Sequence, residues 1–176
     1  MTLKMMIMKK IFQVIFLSLL AVVSVSCSDE FTDDIVRDNK PDVPVTFTGA
    51  ATAGFNPYYT VAVSGAGTIS ITMEIPSTSG RTIKQIRKVI AGGTSIIPGN
   101  LSDGTVTAYA ASIDANATTF TFNTTIAEFN SKVAGADKVP ATVAAGTFAE
   151  RAFYFDIVLD NDEEIIPVQC RVRFVP

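Results

Sequence analysis

The chain has 176 residues, 14 Lys or Arg against 17 Asp or Glu, two Cys, and neither His nor Trp. The missing histidine excludes Ser-His-Asp and Cys-His nucleophiles and His-ligated zinc. No basic stripe meets interleaved aromatics, which argues against nucleic acid as a partner.

The chain opens with a secretory pattern. In "MKKIFQVIFLSLLAVVSVS" Lys9 and Lys10 form a basic n-region, and Ile11 to Val25 form an apolar stretch of 15 residues ending at the small Ser26. A membrane-spanning helix needs about 20 apolar residues, so residues 1–26 read as a leader rather than a span. Met1, Met5, Met6 and Met8 are all candidate starts, and Met8 gives the most ordinary n-region.

The small Ser26 followed by Cys27 resembles the bacterial lipobox. That resemblance implies cleavage before Cys27 and acylation of its thiol and new amine, and two or more chains hold a protein stably on a membrane. Ser24 stands where the lipobox usually has Leu. Ordinary secretion with a free thiol at Cys27 is the alternative. The following "CSDEFTDD" resembles the start of surface-exported lipoproteins of Bacteroidota, with Ser28, Asp29 and Glu30 as the export signal. A solvated acidic tether without address function is the other reading of the same residues.

Charge supports a tether over residues 27–42. Without the three lysines of the leader the chain has 11 basic and 17 acidic residues, a net charge of −6. Residues 28–42 hold six of the acids against Arg37 and Lys40. Such a segment is self-repelling and extended, with a reach of about 50 Å.

Residues 43–176 have the size of one domain and alternate with period two, the pattern of half-buried strands. The inward sets are Val43, Val45 and Phe47, then Tyr59, Val61 and Val63, then Ile69, Ile71, Met73 and Ile75. Phe120 and Phe122 follow in "TFTFN". "RTIKQIRKVIAGG" places Ile83, Ile86 and Ile90 at helical spacing, yet its β-branched content and terminal Gly92-Gly93 predict a bulged strand. "TTIAEFNSKV" predicts a short helix, with Thr125 and Glu128 as a capping box and Ile126, Phe129 and Val133 on one face. "FYFDIVLDNDEEIIPVQCRVRF" predicts a hairpin turning on Asn161-Asp162. That turn pairs Phe155 with Val168, Phe153 with Cys170 and Val158 with Ile165. Ile157 and Ile166 then point inward, while Val158 and Ile165 point outward as a candidate partner contact. Cys170 becomes a core residue, and no disulfide is expected. The predicted fold is an all-β, immunoglobulin-like antiparallel β-sandwich with one short helical crossover.

Chemistry-bearing candidates are few. Glu74 and Asp156 both point outward from strands as candidates for a general acid/base pair, and nothing in the pattern brings them together. "DNDEE" (Asp160 to Glu164) is acidic but lacks the spacing and glycine of a calcium loop, so no metal or other cofactor is expected. Arg81, Lys84, Arg87 and Lys88 form a basic run that could meet an anionic glycan or lipid headgroups, or simply face solvent. Tyr58 in "FNPYY" and Tyr154 are the candidate ligand contacts.

In leader, tether, size and closing hairpin the chain resembles small lipoproteins of Bacteroidota, some of which accompany glycan-uptake systems. The resemblance implies a lipid-anchored module in the outer membrane, at the cell surface or alternatively in the periplasmic leaflet. It would bind or scaffold a glycan or an outer-membrane protein partner, and no enzyme activity is expected. A structural adhesin or fimbrial subunit is the alternative.

Overall fold

The computed structural model describes residues 42–54 and 56–176, so the expectations for the leader, Cys27, Ser28, Asp29 and Glu30 lie outside the described residues. Asp42–Pro176 form one compact unit. In chain order the strands are β1 (Thr46–Thr48), β2 (Ala51–Ala53), β3 (Asn56–Ala62), β4 (Thr68–Glu74), β5 (Ile83–Gly92), β6 (Ala110–Ala117) and β7 (Thr119–Thr125). Then come β8 (Ala149–Leu159), β9 (Glu164–Ile165) and β10 (Cys170–Val175). Helix α1 (Gly99–Ser102) precedes β6, and helix α2 (Ile126–Lys132) follows β7. Among the described residues no helix is long and apolar enough to cross a membrane.

The strands form an all-β sandwich. One sheet has the order β1-β4-β7, and the other runs β2-β3-β10-β8-β5-β6 with β9 attached to β8. β4 and β7 thus hold the B and E positions of an immunoglobulin sandwich, and β5, β8 and β10 the C, F and G positions. The α2 crossover joins the E-like to the F-like strand, as expected, and α1 is a second short helix that the alternation did not signal. Pairing is antiparallel except between β3 and β10, which run parallel. The exception arises because the first edge changes sheets. β1 pairs with β4, turns at Gly49 (φ 79°) and Gly54 (φ 68°) reverse the chain twice through β2, and β3 then lies along β10.

The alternation placed the core correctly over most of this length. Ile69, Ile71, Met73 and Ile75 are fully buried, and Phe153 and Phe155 stack with Phe122, Tyr109 and Phe129 between the sheets. Cys170 is buried there with its thiol free, and burial pushes the thiol well above the usual range. Tyr59 spans the sandwich. Its hydroxyl accepts from the Thr72 N–H at 3.2 Å and lies 2.8 Å from the Thr48 carbonyl oxygen.

β5 is the expected bulged strand. Its register against β8 shifts between Ile83 and Gln85 and again between Ile86 and Lys88. Lys84 and Arg87 are therefore extra residues, which lets Ile83 and Ile86 both enter the core although they stand three apart in sequence. The third inward residue is Val89. Ile90 pairs with Tyr154 on the outer face, where it is nevertheless buried. α1 packs over β5 and β8 on that side, with Leu101 buried beneath it.

The closing hairpin corrects the predicted register at its tip. The Leu159 N–H bonds the Glu163 carbonyl at 2.9 Å, so the loop comprises Asp160, Asn161 and Asp162, with Asp162 left-handed at φ 66°. A three-residue loop ending in a left-handed residue is a common hairpin form, and it shifts the pairing by one. Ile157 then faces Ile165 and Val158 faces Glu164. Ile165 turns into the core, and Val158, on the outer face, is covered, so neither member of the expected outward pair is exposed. Ile166 and Val168, expected inside, are 46% and 55% exposed. Pro167, which has no N–H for a ladder, sits in the segment that leaves the sheet. The predicted pairing returns at Cys170 opposite Phe153.

α2 carries half of the predicted capping box. The Thr125 hydroxyl accepts from the Glu128 N–H at 3.1 Å. The Glu128 carboxylate instead accepts from the Thr124 hydroxyl at 3.0 Å and from Lys132 at 2.7 Å. Thr124 also meets the Tyr109 hydroxyl at 2.5 Å, and Lys132 donates to the Tyr109 carbonyl. This closed polar ring staples the crossover to the core.

Candidate functional site

The basic run and the acidic tip, two separate features of the sequence, meet in space. Bulging of β5 directs Lys84 and Arg87 toward the β8–β9 hairpin. Lys84 bonds Asp162 at 2.5 Å and Arg81 approaches Asp160 at 3.9 Å. Arg87 Nε bonds Asp156 at 2.7 Å, while its Nη atoms hold the Glu164 carboxylate bidentately. Lys88 donates to the carbonyls of Asn100 and Asp103 at the end of α1. The bonds from Glu164 and then Asp156 raise the pKa of Arg87 further. Each cation is committed, so this face offers little free charge to an anionic ligand. Among the described residues no cluster of acids is arranged to hold a metal.

Glu74 and Asp156 do not form a pair. Glu74 is exposed on β4 and accepts from the Thr48 hydroxyl. Asp156 lies on β8 in the opposite sheet and is 3% exposed, against the expectation that it points into solvent. Among the described residues its buried Oδ1 has no hydrogen-bond partner.

The two candidate tyrosines do share a face. Tyr58 on β3 stands beside Arg171 on β10, and Tyr154 lies on β8 on the other side of β10. All point to the outer side of the seven-stranded sheet, because the residues between them in sequence (Tyr59, Val172, Phe153 and Phe155) enter the core. Successive strands lie about 4.8 Å apart, so Arg171 separates the two phenols.

Around them is an ordered cationic array. The Arg173 guanidinium lies 3.8 Å from the centre of the Tyr58 ring and 4.5 Å from that of Phe148. Each such contact is worth about 0.5–1 kcal/mol when partly exposed. Glu150 on β8 accepts from Arg173 Nε at 2.9 Å and from Arg171 Nη1 at 2.8 Å. Arg171 Nε also donates to Gln169 Oε1 at 2.9 Å. Gln169 in turn donates to the carbonyls of Thr94 and Ile96 at 3.2 and 3.1 Å, fixing the loop before α1. Tyr154 has its pKa raised by burial, which Arg171 partly offsets.

Two cations share one carboxylate, so the array keeps a net positive charge. Among the described residues the Nη groups of Arg173 have no hydrogen-bond partner, although two rings hold their plane. A guanidinium so placed can meet a carboxylate with two parallel hydrogen bonds, and its side chain, 21% exposed, retains solvent access. Phe148, 52% exposed, adds an apolar ledge. Arg171, Arg173, Glu150 and Phe148 were not singled out from sequence. The available signal was "CRVRF", where arginines occupy the outward positions of a strand whose inward ones are core. The chain matches no family model, curated protein or solved structure.

Proposed function

We propose that this protein is a lipid-anchored, cell-surface binding module whose ligand face is the outer side of the seven-stranded sheet, and that the ligand is an acidic glycan. The observation that carries the reading is the Arg173 guanidinium clamped between Tyr58 and Phe148 beside Arg171. It combines preorganised fork-shaped donors with aromatic surface, the two elements a carboxylated sugar ring engages. The anchor rests on the Ser26-Cys27 resemblance to a lipobox and on the acidic run after it, which would carry the domain clear of the outer membrane.

The test is a panel of oligosaccharides with and without uronic acids, applied to the protein extracted from membranes. The reading expects retention of uronate-containing members, weakened by salt and lost in Arg173→Met, whose far-UV spectrum stays that of the folded domain while its Tm falls by a few degrees through the lost ring and Glu150 contacts. Equal retention of neutral and acidic sugars, or none of either, contradicts it.

A further inference from the structure

We propose that β7 is a self-association edge, through which two copies of this chain join their three-stranded sheets into one. A sheet edge displays unpaired N–H and C=O groups and is normally blunted. Three of the four sheet edges here are blunted: β1 and β2 have three residues each, and β6 is bent by Ser112 at φ 54° and Asn116 at φ 51° and carries Asp114. β7 is the exception. Its seven residues, TFTFNTT, include no charge, proline or glycine, and they pair with β4 without a register break from Thr119 opposite Glu74 to Thr125 opposite Thr68. Among the described residues no strand occupies the position beyond it.

The ladder fixes which groups point outward. The Thr118 carbonyl accepts from Ile75 N–H, toward β4. The N–H and C=O of Thr72 meet the Tyr59 hydroxyl on the side away from β7. By the alternation of an antiparallel pair, Thr119, Thr121 and Asn123 therefore turn their backbone groups to the open edge. The sequence there is self-complementary. An antiparallel copy related by a two-fold axis normal to the sheet keeps core residues on the core side and sets Thr121 opposite the partner's Thr121, Thr119 opposite the partner's Asn123. Those are the kinds of pairs the sheet already makes: Thr72 and Thr121 hydroxyls at 2.9 Å, and Ser70 donating to Asn123 at 2.7 Å. Such cross-strand pairs stabilise a sheet, and with no charge on β7 the copies do not repel there. The occupant is a second copy because the two-fold arrangement closes and satisfies both edges at once.

The mature, detergent-extracted protein should show a concentration-dependent monomer–dimer equilibrium in sedimentation, followed to about 1 mM, the effective concentration that tethering confers. Thr121→Lys, which puts like charges face to face, should weaken the dimer about tenfold or more while the melting curve stays unchanged. Thr121→Cys should give a disulfide-linked dimer on mild oxidation, since Cα atoms about 5.5 Å apart suit a disulfide. Ser70→Cys, one strand further in, should not. A monomer throughout that range overturns the proposal, as does a dimer indifferent to Thr121→Lys or equal cross-linking by the two cysteine variants. A wild-type monomer whose Thr121→Lys form loses a cross-link to a different protein on cells also overturns it and assigns the edge to that protein.

Discussion

Replacing Arg87 by Met should cost far more than its place in an exposed basic run suggests. Asp156, its partner, has a side chain 4% exposed, against 47% for Arg87. One carboxylate oxygen receives the 2.7 Å bond from Arg87 Nε, and the other has no partner among the described residues. Removing Arg87 leaves the buried group without a donor. Breaking a fully buried pair costs about 3–5 kcal/mol. Because Arg87 is half in water, rearranged solvent recovers part of that, and we expect about 2–3 kcal/mol. For a domain of this size the loss corresponds to a fall of about 6–9 °C in Tm. The Arg87–Glu164 contact adds little, since both side chains are about half exposed and exposed pairs contribute about 0–1 kcal/mol. Urea unfolding of Arg87→Met, Asp156→Leu and the double variant gives the coupling directly. The double variant should be within about 1 kcal/mol of wild type, because no charge is then stranded. Additive losses, or an Arg87→Met variant as stable as the wild type, would show that Asp156 is hydrated and refute the reasoning.

The hairpin register can be read by substitution: Ile165→Ala should cost about 2–4 kcal/mol as a core truncation, whereas Ile166→Ala should stay within about 0.5 kcal/mol. The reverse order in chemical unfolding would restore the two-residue turn. Thr125→Ala should lose about 1 kcal/mol through its N-cap, seen as a lower urea midpoint with an unchanged m-value. The Cys170 thiol should resist an aqueous disulfide reagent in the native protein and react on unfolding. Because its pKa is raised by burial, stability should be complete below about pH 8.5, where the unfolded thiol begins to ionise, and decline as pH rises beyond it. Cys27→Ala should move the protein from the membrane fraction to the soluble one, and a variant that still pelleted after a carbonate wash would remove the lipid anchor from the account.

Local patterns carried much of the fold. The inward set of β4, the Thr125 cap and the strand character of β5 were legible because each depends on neighbours in sequence: period two, a hydroxyl three residues before the N–H it accepts from, β-branched content. The tip of the hairpin was not, because Asn161 and Asp162 suit either a two- or a three-residue loop, and one residue of difference exchanges Ile165 for Ile166 in the core. Outward position was also mistaken for exposure at Asp156 and Val158. Asp156 lies beneath Arg87, which reaches it from the bulge of β5, and Val158 sits between Gln85 of β5 and Glu164 of β9, contacts between distant segments that strand alternation does not encode. The same limit hid the site. Tyr58 and Tyr154 were visible as outward aromatics, but the array between them needs β3, β8 and β10 side by side, with β3 parallel to β10. The basic run read as either a binding face or a solvated one and "DNDEE" as an acidic tip without a calcium loop's spacing, and only the fold shows Arg81, Lys84 and Arg87 pairing with the acids of the β8–β9 hairpin.

The Nε–H signals of arginine allow the ligand face to be tested at the atom concerned. Arg171 and Arg173 hold their Nε protons in hydrogen bonds to Gln169 and Glu150, which slows exchange enough for NMR observation. Titration with an oligouronate should shift these two signals together and saturably, with those of Arg81 and Arg87 unmoved. Shifts confined to Arg81 and Arg87, or no shift at any arginine in a protein that retains the ligand, would contradict the assignment of binding to the outer face of β3, β10 and β8.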